Sequence, residues 1–76
     1  MRGKEFRRAR VAADITGDIL SVKAGLSRTR LSEIERESRR PTQDEAIRLR
    51  KALDDLIDAK QRIEEFAAQV GWPMGA

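Results

Sequence analysis

The stretch Thr16-Gly17-Asp18-Ile19-Leu20-Ser21-Val22-Lys23-Ala24-Gly25-Leu26-Ser27-Arg28-Thr29-Arg30-Leu31-Ser32-Glu33-Ile34-Glu35-Arg36 decides how the rest of the chain is read. Thr16 is a good N-cap, because its side-chain oxygen can accept a backbone N–H that the first helical turn leaves orphaned. A helix is therefore predicted from there through Ala24. Gly25 follows, where a helix end calls for a residue tolerant of positive φ. Ser27 is a second N-cap and opens a further helix, about Arg28 to Glu37. Leu20, Ala24, Leu26, Leu31 and Ile34 face inward together and set the angle between the two helices. The outer face of the second helix is left to solvent.

Upstream, Phe6, Ala9 and Ala13 at i, i+3 and i+7 predict a first helix from about Lys4 to Ala13. Downstream, Ser38-Arg39-Arg40-Pro41 breaks the helical pattern, since proline disfavours a helical residue before it. Thr42 with Glu45 forms a capping box and marks a strong helix start. No proline or glycine then occurs from Gln43 to about Val70. Leu49, Leu56, Ile63 and Val70 recur at seven, with Ala46, Leu53, Lys60 and Ala67 at the companion positions. One long helix fits, and so do two helices with a bend near Asp54-Asp55. Gly71 and Pro73 close the segment. Alternating β-branched or aromatic runs are absent, so the fold class is all-α. The organisation expected is a domain over residues 1–58 followed by a helical extension over 59–76.

With 76 residues the chain is one domain at most, and it carries no cysteine or histidine. Disulfides and the commonest zinc ligand sets are excluded, so stability must come from helix packing and a partner subunit. No apolar run approaches the roughly 18–20 residues of a membrane span, and the charged N-terminus lacks a signal-peptide apolar stretch, so a cytoplasmic setting is expected. The net charge of +3 is unevenly spread. Residues 1–40 carry 11 Lys/Arg against 6 Asp/Glu, whereas residues 41–76 carry 5 against 7. A basic front half suits a protein that meets a polyanion with one face.

The outer face of the second helix of the pair reads Arg28, Thr29, Ser32 and Glu33, with Arg36 one turn on. An α-helix fits a DNA major groove. There arginine binds guanine through two parallel hydrogen bonds, threonine touches the thymine methyl, and glutamate accepts from cytosine. Phosphate-seeking groups surround this face: the helix N-terminus at Thr16 and Gly17, and Arg39-Arg40 in the following loop. Ser27 and Arg30 flank the same surface and complete the expected DNA-binding set. Glu33 has further expected uses, orienting Arg28 or Arg30 or rejecting wrong bases. Nucleophilic catalysis by a serine triad or a cysteine is unavailable, the glycines form no phosphate loop, and the acidic residues lack metal-site spacing. Neither an enzyme, a metal, a cofactor nor a small-molecule ligand is expected.

Thr16 to Glu35 resembles the core of the lambda-repressor/Cro-like helix-turn-helix proteins (the Cro/C1 or XRE type). The likeness continues through Arg39-Arg40-Pro41-Thr42 into Ala46 to Leu53 and covers about Phe6 to Ile57. It implies a five-helix all-α domain that binds operator DNA as a homodimer. It also implies a salt bridge from Arg10, on the first helix, to Glu35 at the end of the third. The chain departs from the family pattern at Gly17, where a phosphate-touching glutamine is usual, and at Arg50, usually alanine. Asp54-Asp55 replaces a glycine-containing break, which favours a longer C-terminal helix. Ile19 and Val22 stand where polar residues are normal, and Phe66 or Trp72, from the same chain or a partner, is the expected cover.

The expected function is that of a transcriptional regulator, a repressor on a palindromic operator, with double-stranded DNA and a second copy as partners. Leu56, Ile63, Phe66, Val70 and Trp72 are the expected dimerisation residues, because a domain this short cannot hide the whole stripe. Lys60 within it argues for a short or imperfect coiled coil. The alternative is a protein-interaction module, or an autoregulating antitoxin whose C-terminal helix holds a partner protein.

Overall fold

The computed structural model describes residues 2–69 and contains, among them, four helices and no strand. They are α1 (Gly3–Ala12), α2 (Gly17–Ala24), α3 (Arg28–Glu35) and α4 (Gln43–Gln69). Five helices were expected; the last two are one. Of the two alternatives for this segment the longer helix is the one found: Asp54 and Asp55 continue α4 without a residue that interrupts the hydrogen-bond ladder. Lys51 spans the spot with an ion pair to Asp55 at 3.1 Å, an i,i+4 contact that favours helix.

The caps explain where the short helices begin and end. Thr16 Oγ1 accepts from Ile19 N–H at 3.2 Å, and Ser27 Oγ accepts from Arg30 N–H at 3.0 Å. Gly25 is left-handed at φ 71°, with its own N–H returning to Val22 O and Leu26 N–H to Ser21 O. This paired closure satisfies two carbonyls that the helix end would orphan. Asp14 (φ 59°) and Glu37 (φ 60°) close α1 and α3 in the same way. Both helices therefore stop short of the expected Ala13 and Glu37: α1 at Ala12 and α3 at Glu35. The left-handed turn at Glu37 puts its carboxylate 3.2 Å from Lys4 N–H, supplying α1 with the N-terminal acceptor that Arg2 lacks. At α4, Thr42 and Glu45 form the reciprocal capping box, with bonds of 2.9 and 3.1 Å.

The core is built from Phe6 on α1, Ile15, Leu20 and Ala24 on α2, Leu31 and Ile34 on α3, and Leu49, Ala52 and Leu53 on α4. Leu20 and Leu31 are fully buried at its centre. The first half of α4 lies chiefly on α2. Further along, Lys60 Nζ donates to Ala13 O at 2.7 Å and sits 3.5 Å from Asp14. The lysine that interrupts the apolar stripe thus neutralises the carbonyl end of α1. Past it, Ile63 and Phe66 on α4 are exposed while Ala67 is buried, and the molecule measures 45 Å along its long axis against 20 Å across.

Candidate nucleic-acid interface

α2 and α3 meet through Leu20, Ala24, Leu31 and Ile34, with Leu26 packed against them from the turn. A second fastener holds the C-terminal turn of α3 against α1. Arg10 of α1 reaches Glu35 with Nε 2.8 Å and Nη2 3.1 Å from the two carboxylate oxygens, and its Nη1 donates to Ile15 O at 2.8 Å. The bidentate pair is buried, with side chains 9% and 4% exposed. Such a fork fixes direction as well as distance, so α3 cannot roll about its axis without uncovering the pair.

The face of α3 held in this way presents Arg28, Thr29 and Arg36 to solvent, with Ser32 half-buried between them. Arg28 is not loose. Its Nη1 donates to Ser32 Oγ at 2.8 Å, its Nε lies 3.3 Å from Asp18, and its guanidinium rests on Gly17. A Cβ at position 17 would stand 2.5 Å from the guanidinium carbon, so the glycine makes the space that Arg28 fills. Sequence reasoning treated Gly17 as a lost side chain; the structure puts another side chain in its place. Arg36 folds back, Nε donating to Ser32 O at 3.3 Å.

Other expected residues are placed differently. Arg30 turns away from the outer face, donating from Nε and Nη2 to Glu45 at 2.9 and 2.7 Å and from Nη2 to Arg40 O at 2.9 Å. The hydrogen bonds from Arg30, then that from Thr42 N–H, pull the Glu45 carboxyl down from 4.5 to about 2, and the same bond raises the Arg30 guanidinium. Arg30 therefore ties the loop bearing Arg39 and Arg40 to α4. Glu33 orients neither Arg28 nor Arg30; it pairs with Arg39 at 2.6 Å, while its carbonyl accepts from Ser38 and Arg39 N–H. Arg40 and Arg39 stay exposed at the end of α3, and Thr16 at the start of α2.

One group went unnoticed in the sequence reading. Lys4, Arg7 and Arg8 line a cleft of about 640 Å³ together with Arg28, Ser32 and Arg36. The sequence carries the signal: the three lie at i, i+3 and i+4, opposite Phe6 and Ala9, on the face of α1 away from its apolar residues.

Of the expected dimerisation residues, Leu56 is half-buried, whereas Ile63 and Phe66 are 64% and 65% exposed. Val70 and Trp72 lie outside the described residues. Within the single chain Phe66 leaves Ile19 and Val22 52% and 81% exposed. Among the described residues no helix is long and apolar enough to cross a membrane, and no cluster of His, Cys, Asp or Glu could hold a metal ion.

An arginine-flanked helix held by a glycine turn and a buried ion pair defines a helix-turn-helix domain. The family model for helix-turn-helix proteins of the Cro/C1, or XRE, type matches residues 6–56, and the chain belongs to that family of DNA-binding regulators. No curated protein and no solved structure matches the chain.

Proposed function

We propose that this chain is a cytoplasmic transcriptional repressor that binds a palindromic operator as a homodimer, with α3 as the reading helix. The observation that carries it is the outer face of α3, which keeps Arg28 and Thr29 exposed while the buried Glu35–Arg10 pair at its edge fixes the rotation of the helix. Arg28 and Thr29 contact bases, and Arg39, Arg40 and the N-terminus of α2 contact phosphates. Ser27 and Arg30 act from behind, one capping α3 and the other holding the loop. Residues 59–76 form the dimerisation segment, in support of which Ile63 and Phe66 continue the apolar stripe beyond the domain. Half-sites then lie about 34 Å apart, one helical turn.

Titration against a random duplex at two salt concentrations tests the reading. Salt-dependent binding is expected, and none at low salt would sink it. Selection from random DNA then yields the operator. Against it, Arg28→Ala is expected to cost about 1–3 kcal/mol and to relax the preference at one base pair. Arg40→Ala weakens all sequences alike and flattens the salt slope. A chain truncated after Asp58 is expected to sediment as a monomer.

A second reading is a protein-interaction module, favoured by the exposed Ile19 and Val22 on α2. Under it, Val22→Lys abolishes capture of the protein partner while leaving DNA titrations unchanged.

A further inference from the structure

We propose that the cleft between α1 and α3 seats a phosphodiester strand, so that Lys4, Arg7 and Arg8 carry the DNA contact beyond the helix-turn-helix. The inference rests on α3 being the groove-entering helix and adds a partner surface to that reading.

Lys4, Arg7 and Arg8 share one exposed face of α1 and face Arg28, Ser32 and Arg36 across the cleft. The cleft's carboxylate, Glu35, is fully engaged by Arg10. Among the described residues, Lys4, Arg7 and Arg8 have no carboxylate at ion-pair distance. The contrast with α4 is instructive: there Arg48, Lys51 and Arg62 each pair with an aspartate four residues before or after. Like charges one turn apart repel, which gives the bare cationic face of α1 a cost that an anionic partner removes.

Dimensions say which anion. An α-helix with its side chains is about 10–12 Å across, and the major groove is about 12 Å wide. A helix seated in the groove fills it. Packed helices lie about 8–10 Å apart, so α1 falls outside the groove, over its wall. That wall is the sugar–phosphate backbone. Arginine forks suit phosphate oxygens, which accept two parallel N–H bonds from one guanidinium.

The full-length chain carrying Lys4→Gln, Arg7→Gln and Arg8→Gln tests this against both the selected operator and random duplex, over a salt series. The slope of log K against log salt is expected to become shallower by about 2 to 3, at nearly one per phosphate contact. Affinity for both DNAs falls together, so the preference between them is kept. Hydroxyl-radical footprints lose protected backbone sugars at the flank of each half-site. A second triple variant, Arg50→Gln, Lys51→Gln and Arg62→Gln, removes the same charge from α4 and is expected to keep most of the slope. Equal effects from the two variants, or an unchanged slope in the first, overturn the proposal while leaving α3 as the reader. Loss of salt-dependent binding in the unmodified chain overturns both. The substituted side chains are exposed, and an unchanged thermal melt shows that the fold is intact.

Discussion

Replacing Glu35 by Gln leaves the Arg10 guanidinium, about nine-tenths buried, facing a neutral amide. Removing one partner of such a pair is expected to cost about 3–5 kcal/mol, read as a lower urea midpoint at unchanged m-value. A chain of this length holds roughly 4–11 kcal/mol in total, so the variant sits near unfolding. The double change Arg10→Met with Glu35→Leu is expected to recover much of the loss, because no charge is then stranded. At Gly17 the expected effect is on recognition instead. Gly17→Gln displaces the Arg28 guanidinium, a cheap move for the end of a flexible side chain, so the melt hardly changes. The base preference assigned to Arg28 is expected to weaken in a selection from random DNA; an unaltered preference would show that its resting pose is irrelevant. Glu45 carries a pH dependence. Its folded pKa of about 2 lies below the ordinary 4.5, so it stabilises the fold fully above about pH 4.5 and loses that effect as pH falls toward 2. Glu45→Gln is expected to be the less stable chain at pH 7, with the gap closing in acid.

Among the elements, the caps decide where each helix stops. Gly25→Ala forces a Cβ into the left-handed region and is expected to cost about 1–2 kcal/mol by chemical denaturation. Glycine announces that turn, which is why the α2–turn–α3 unit is legible in the sequence, as are the Thr16 and Ser27 caps and the Thr42–Glu45 box. All are signals between residues a few positions apart. Asp14 and Glu37 make the same turn without a glycine, so the ends of α1 and α3 were read one and two residues late. The undivided α4 was half-legible: the apolar stripe allowed it, while the family pattern pointed to five helices. Side-chain partners were harder still. Arg30–Glu45, Glu33–Arg39 and Lys60 with Ala13 O join long flexible side chains across angles between elements, and those angles exist only after the core has packed.

For the molecule as a whole, charge is separated by element. The cations described on α4 beyond Arg50 are neutralised nearby, whereas α1 keeps Lys4, Arg7 and Arg8 exposed beside the reading helix and the loop after α3 keeps Arg40 exposed. Raising salt is therefore expected to weaken DNA binding far more than it changes the thermal melt, which two titrations and two melts would compare. The unbroken α4 has a consequence of its own. In the proposed dimer it is a rigid axle between the reading head and the contact with the second copy. One alanine inserted after Ala59 turns everything beyond it by about 100° and advances it about 1.5 Å. The chain is expected to fold and dimerise, yet to lose its operator, because the two heads no longer share an angular phase. Seven inserted residues restore that phase to within about 20° and lengthen the axle of each copy by about 10 Å. Selection from random DNA with the two variants would then read the helix as a gear, with the preferred spacing between half-sites recording how far it has been turned.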